Sequence, residues 1–367
     1  VYTYVPLAKN DESVVCQYTM TTLEELGLLK MDFLGLRNLT ILDDAVKLVR
    51  KEQPEFRIET VPDDDPKVFE MLSAGKTSGV FQLESTGMTG VCVGLKPKSI
   101  EDITAVIALY RPGPMDSIPK FLQCSAHPEQ VTYLHPQLKP ILEVTYGCIV
   151  YQEQVLEILQ KLAGFSLGQA DMIRRAMSKK KEKEIKKERE AFVHGDPERN
   201  ISGCVANGVP EGIANQIYDQ ILDFASYAFN KAHAVSYAIV AYRTAYMKCH
   251  YPQQYMAALL TSVLDNATKV AEYIGECKEM GIQLLPPDVN RSEANFTVEG
   301  KDLRFGLVAI KNIGWGMIQQ LTDERKQNGP FRNFDDFCTR LSGKELNKRA
   351  VENLIRAGAF DSMGVPR

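Results

Sequence analysis

The nine residues Leu28 to Leu36 read L-L-K-M-D-F-L-G-L. One carboxylate, Asp32, stands in a run that is apolar apart from Lys30. Residues two apart on a strand face the same side. Lys30, Asp32 and Leu34 would then share one face, and Met31, Phe33 and Gly35 the other. A carboxylate amid so much apolar surface is destabilising unless it is paired or metal-bound. Beside a cation, it suits holding Mg²⁺ over a phosphate. A strand-end aspartate that caps the next helix or pairs with Arg37 fits the same pattern.

Around this run the composition is that of an ordinary globular protein. The 367 residues are 44% hydrophobic and 25% charged, enough for two or three domains with ample core. The longest apolar run, Ala234 to Tyr242, is broken by Ser236 and ended by Arg243, far short of a membrane span. No signal peptide is visible, and the chain opens on Val1, as a fragment or processed product would. Eight cysteines occur without a C-x-x-C pair, which argues against zinc and fits reduced thiols in a cytoplasm. The net charge of −4 is unevenly spread. Arg174 to Arg189 carries +6 (nine Lys or Arg against three Glu) and Lys301 to Arg367 carries +4 (twelve basic against eight acidic), leaving −14 elsewhere. The basic parts could meet phosphate while the rest faces solvent or other subunits.

Along the chain, residues 1–50 read as a strand or two and then a helix, with Leu39, Leu42, Val46 and Val49 at helical spacing. Residues 54–66 break into an acidic loop, where Asp63 to Asp65 beside prolines suggest a turn or helix cap. Residues 67–275 read as mostly helical, with helices over Tyr151 to Leu162, after a Ser166 cap, and over His233 to His250. Residues 276–367 mix short strands with helices.

Several stretches carry chemistry. Arg174 and Arg175, adjacent on a helix, could grip a triphosphate from two sides or form a solvated face. Tyr227 to Tyr237 is dense in rings and polar groups that could stack on a base, bind phosphate or pack as core. Arg111 precedes Pro112-Gly113-Pro114, a loop stiff enough to aim it, although a helix-end salt bridge is equally compatible. Ala74-Gly75-Lys76-Thr77-Ser78 hints at a phosphate loop, but Glu70 stands where its first glycine is needed. Leu303 to Leu321 places Gly314-Trp315-Gly316 between two helix-like pieces and resembles a helix-hairpin-helix, whose backbone amides approach a DNA phosphate. Lys311 would add an ionic contact. A degenerate second copy is expected over Ala350 to Phe360 with Gly358 in its hairpin.

Nine stretches, in order, resemble the bacterial replicative DNA polymerase III alpha-subunit family (family C). They are Leu28 to Leu42, S-G-V-F-Q-L-E-S (Ser78 to Ser85), L-Y-R-P-G-P (Leu109 to Pro114), T-Y-G-C-I-V-Y-Q-E-Q (Thr145 to Gln154), A-D-M-I-R-R-A-M (Ala170 to Met177), Y-A-F-N-K-A-H-A-V-S-Y-A (Tyr227 to Ala238), H-Y-P (His250 to Pro252), L-P-P-D-V-N (Leu285 to Asn290) and A-G-A-F-D (Ala357 to Asp361). D-F-L-G-L-R looks like the shorter of the family's two lineages. The resemblance implies an α+β, mainly α fold. Residues 1–50 would end a nucleotidyltransferase palm, 51–275 would form helical fingers, and 276–367 a little-finger and tandem helix-hairpin-helix region.

It implies a DNA-directed DNA polymerase working on primer-template DNA and deoxynucleoside triphosphates with two Mg²⁺ ions. Asp32 would be the catalytic metal ligand. Lys30, Arg174, Arg175, Tyr227, Asn230, Lys231 and His233 would bind nucleotide, and Gln82, Glu84 and Arg111 would lie near the active site. Lys311, Gly314, Gly316 and Gly358 would meet DNA. The sliding clamp and other replisome subunits are expected as partners through a longer parent. The family's other two catalytic aspartates form an earlier D-x-D pair that this sequence lacks, so the chain alone is expected not to catalyse. A non-catalytic DNA-binding module is the alternative.

Overall fold

A computed structural model describes residues 3–111, 114–178, 182–225, 228–342 and 346–364. The chain divides into two compact units, 1–37 and 38–367. In the smaller, β1 (Leu7–Asn10) and β2 (Ser13–Cys16) pair antiparallel, Leu7 opposite Cys16. Asp11 makes the turn at a φ of 51°. Thr19 caps α1 (Met20–Glu25) by accepting the Thr22 N–H.

Residues 28–36 correct the strand expectation: they join no ladder among the described residues. Leu29, Met31, Phe33 and Leu34 are all exposed. A strand keeps its shape through bonds to a neighbour, and β1 and β2 are paired with each other.

The larger unit is mainly helical. α2 (Arg37–Val49) buries Ile41, Leu42, Ala45, Val46 and Val49, while Leu39 stays exposed. α3 (Pro66–Ser73) is capped by Asp65, which accepts the Lys67 N–H at 2.9 Å. α4 (Thr86–Leu95), α5 (Ile100–Leu109) and α6 (Ile118–Ala126) follow, with the single turn α7 (Lys139–Leu142). α8 (Gln152–Ala163), α9 (Leu167–Ser178), α10 (Glu182–His194) and α11 (Glu211–Ala225) surround one apolar core that includes Ile158, Leu162, Ile173, Met177, Phe192 and Tyr218. Ser166 and Gln169 cap α9 reciprocally, each side chain accepting the other's N–H.

α12 (Lys231–His250) runs along α5 and contacts α3 and α13 (Pro252–Ser262). Its small buried residues Ala234, Ala238, Ala241 and Ala245 permit close packing against α5, which is buried from Asp102 to Leu109. α14 (Ala267–Glu279) joins α2 and α13 in a second core with Tyr255 and Phe296. Beyond it, β3 (Leu284–Leu285) lies parallel to β5 (Asp302–Arg304), which pairs antiparallel with β4 (Thr297–Glu299). α15 (Trp315–Asn328), α16 (Phe334–Leu341) and α17 (Lys348–Arg356) enclose a third core around Ile318, Phe337, Leu354 and Phe360. All eight cysteines are free thiols. No helix among the described residues is long and apolar enough to cross a membrane.

Candidate nucleotide and nucleic-acid site

The start of α12 gathers residues from four separated motifs. Asn230 is its N-cap, accepting the His233 N–H at 2.8 Å, a common use of Asn at this position. Its Nδ2 donates to Glu153 at 3.0 Å. The Lys231 N–H is held by both Glu153 oxygens, at 3.0 and 2.9 Å. The Lys231 ammonium lies 3.3 Å from Glu101 and 5.4 Å from the Tyr151 ring centre.

A continuous run of ring contacts lies beside these groups. The Phe81 ring lies 5.3 Å from Tyr237, Tyr237 lies 4.3 Å from His233, and His233 lies 5.3 Å from Phe229. The Arg111 guanidinium covers the Phe229 ring at 3.9 Å. It also donates to the Ala108 carbonyl at 3.2 Å. Partial burial lowers the Arg111 pKa, a cation in reduced solvent. Such a surface combines π-faces with cations.

The loop carrying Phe81 is held from below. The Phe81 N–H donates to Thr244 at 3.1 Å, and Tyr255 donates to the Gly79 carbonyl at 2.6 Å. The buried Lys248 ammonium donates to the Lys76 and Ser78 carbonyls at 3.1 and 2.8 Å and to Glu276 at 2.6 Å. Gln82, exposed between buried Phe81 and Leu83, has a φ of 63°. Glu84 turns to α14, accepting from Tyr273 at 2.9 Å with Lys269 at 3.8 Å.

Arg174 and Arg175 lie on α9 and share one carboxylate. Asp171 accepts Arg174 at 2.8 Å through Oδ1 and Arg175 at 2.8 Å through Oδ2. The hydrogen bond from Arg174, more than any other influence, holds the Asp171 carboxyl below its ordinary range. Asp171 belongs with the pair, and its i,i+3 and i,i+4 spacing was the readable signal.

Lys30 and Asp32 belong to the smaller unit, where they form an ion pair of 3.2 Å with Asp32 56% exposed. Among the described residues no group of three or more His, Cys, Asp or Glu is placed to hold a metal ion. Asp32 alone does not make a two-Mg²⁺ centre. Asp63 to Asp65 give none either, since Asp65 caps α3 and pairs with His250 at 2.8 Å. Tyr227 lies outside the described residues, as do Lys179 to Lys181 of the basic stretch Arg174 to Arg189.

The hairpin expectations need two corrections. Gly314-Trp315-Gly316 is no turn between helices: Gly314 is the N-cap of α15, without a side-chain cap bond, and Trp315 and Gly316 open the helix. The left-handed residue is Asn312, at a φ of 60°. A short 3-10 turn, Leu307–Ala309, stands where the first helix was expected. Lys311, Gly314, Trp315 and Gly316 are exposed.

Gly358 lies in the turn between α17 and a short 3-10 helix, Asp361–Met363. At a φ of 81° it donates to the Ile355 carbonyl at 2.9 Å, and Ala359 donates to Leu354 at 2.9 Å. This is the Schellman arrangement that favours glycine, and it commits the Gly358 amide.

Comparison with known proteins agrees with this architecture. Residues 38–200 match the family model for the bacterial DNA polymerase III alpha subunit finger domain. Residues 281–367 match a helix-hairpin-helix motif. The DNA polymerase III subunit alpha of Thermus aquaticus is 49% identical over 98% of this chain and 29% of its own length. The Borreliella burgdorferi protein of the same name is 46% identical over 98% of this chain and 31% of its length. A Staphylococcus epidermidis counterpart is 45% identical over 100% of this chain and 34% of its length. The chain belongs to the family of bacterial DNA polymerase III alpha subunits. It spans about three tenths of the length of these relatives, over their fingers and helix-hairpin-helix regions.

Proposed function

We propose that this chain is the nucleotide- and DNA-gripping part of a DNA-directed DNA polymerase. The observation that carries the reading is the row of ring and cation contacts Phe81–Tyr237–His233–Phe229–Arg111 beside Asn230 and Lys231, built from separated family motifs. Stacked rings take any base, and cations take phosphate. Lys231, Arg174 and Arg175 hold the triphosphate and offset charge developing on it; Lys30, within the smaller unit, is assigned to nucleotide by the family resemblance alone. His233 and Asn230 face the nucleotide, and Gln82 and Arg111 border that site; Tyr227 is assigned to nucleotide by the family resemblance alone. Glu84, engaged by α14, supports its loop.

Residues 1–50 end the palm, 51–275 form the fingers and 276–367 the DNA-binding region. The amides at the start of α15, with Lys311, meet a DNA phosphate without reading sequence. Asp32 is one ligand of the Mg²⁺ that the family's reaction requires, and further ligands must come from elsewhere in the whole protein. The sliding clamp and other replisome subunits are partners of that whole, which works in the cytoplasm.

The lone carboxylate at Asp32 also favours a second reading for the chain by itself, a DNA-binding module without catalysis. One experiment addresses both. Primer-template DNA, a deoxynucleoside triphosphate and Mg²⁺ are given to this chain alone. DNA binding without primer extension is expected. Metal-dependent extension would overturn the single-ligand account, and no DNA binding would overturn the interface.

A further inference from the structure

We propose that Glu153 is a positioning residue that sets the separation between the Arg174–Arg175 pair and the start of α12. The inference rests on the nucleotide-binding reading above and gives a role to Y-Q-E-Q, a stretch the sequence left without one.

Each residue after Tyr151 ties α8 to something different. The Gln152 N–H donates to the Phe229 carbonyl at 2.8 Å, its Nε2 to Ala228 at 3.0 Å, and the Phe229 N–H returns to Val150 at 3.2 Å. Gln154 accepts the Val150 and Tyr151 N–H groups at 2.9 and 3.0 Å and donates to Ile141 and Thr145 at 3.2 and 2.7 Å. Glu153 alone of the three reaches the first turn of α12. Both its oxygens take the Lys231 N–H and one also takes the Asn230 amide.

The opposite side of α8 is packed rigidly. Val155, Ile158, Leu159 and Leu162 share one core with Ala170, Ile173 and Met177 of α9. Arg174 and Arg175 sit within that last stretch. Through α8, the α9 arginines and the α12 start therefore form one linked assembly, with Glu153 as its polar joint. A carboxylate suits the position, since the first amides of a helix lack intrahelical partners and favour negative charge. Two-oxygen acceptance also leaves the joint little freedom to pivot.

A triphosphate held at both ends is sensitive to such a joint, because small misplacements in a positioned ligand lower reactivity by as much as about a hundredfold. The test uses the polymerase subunit that carries this segment, with Glu153→Ala, Glu153→Asp and Glu153→Gln compared by steady-state incorporation. Gln keeps an acceptor oxygen at the same reach, Asp keeps the charge but falls short by one methylene, and Ala keeps neither. Glu153→Ala and Glu153→Asp should raise the nucleotide KM about tenfold or more, with Glu153→Gln within about threefold of wild type and DNA affinity unchanged. Glu153→Asp keeps the test decisive should the alanine variant fail to fold. Combined with Arg175→Ala, the Glu153→Asp effect should be less than additive, since both act on one ligand's placement. Wild-type KM in Glu153→Asp, equal loss in Gln and Asp, or full additivity overturns the proposal. If Arg174→Ala and Arg175→Ala also leave nucleotide use intact, the nucleotide-binding reading fails rather than the role of the joint.

Discussion

The Arg111 guanidinium lies over the Phe229 ring at 3.9 Å, joining two motifs far apart in the sequence. The ring also meets His233 edge-on at 5.3 Å. A partly desolvated contact of this kind is worth about 0.5–2 kcal/mol. Phe229→Leu keeps the apolar bulk and removes the platform. It should lower the melting temperature by about one to two degrees, consistent with a loss of about 1 kcal/mol, and raise the nucleotide KM severalfold. Calorimetry and incorporation kinetics check the two effects separately.

Asp32→Asn in the polymerase subunit that carries this segment should abolish synthesis while leaving DNA affinity nearly intact. Losing a ligand charge at a metal centre removes several kcal/mol of transition-state stabilisation, or several powers of ten in rate. Single-turnover incorporation reads it, and near-normal turnover would return Asp32 to its Lys30 pairing as its whole role.

The turn before α15 has its own reporter. Trp315 is the single tryptophan and is 57% exposed at the helix start. Duplex DNA should change its fluorescence, and Lys311→Ala should lower the salt slope of binding by about one unit. Asn312→Val should weaken binding at an unchanged slope, because a branched residue resists a left-handed backbone by roughly 1–2 kcal/mol, while Asn312→Gly should not. A melting curve for each variant separates lost contact from lost folding.

These details mark where the sequence stopped being readable. Local signals found several helices: apolar spacing marked α2, a Ser166 cap marked α9, and an alanine-rich run stopped by Pro252 marked α12. Leu28 to Leu36 misled because strand geometry depends on a neighbour that composition does not announce. The G-x-G motif pointed to the right helix start but the wrong conformation, since glycine only permits a positive φ and here Asn312 adopts it. Gly358 was legible as a turn glycine, since a positive φ after a helix favours that residue. The Glu153–Lys231 and Arg111–Phe229 contacts were invisible, since each side chain's partner comes from a distant segment.

Acid should loosen the region after α14. Arg304, buried, donates twice to Glu299 at 2.8 and 2.7 Å. That bond, first among several influences, holds the Glu299 carboxyl below its ordinary value of 4.5. The unfolded chain therefore takes up the proton first, so the stabilisation is complete above about 4.5 and is lost as pH falls through the lower folded value. Melting curves between pH 6 and about 3 should show this loss, and Glu299→Gln should flatten that part of the dependence.

The proposed grip on the triphosphate is tested most directly by incorporation kinetics with Arg174→Ala and Arg175→Ala in the polymerase subunit that carries this segment. Both arginines now share Asp171 at 2.8 Å, a carboxylate that a triphosphate can replace as their partner. Each substitution should raise the nucleotide KM or lower kcat by about tenfold or more, while the dissociation constant for primer-template DNA changes by less than about twofold. Unchanged nucleotide kinetics in both variants, or a loss of DNA affinity that accounts for the whole effect, would contradict the assignment.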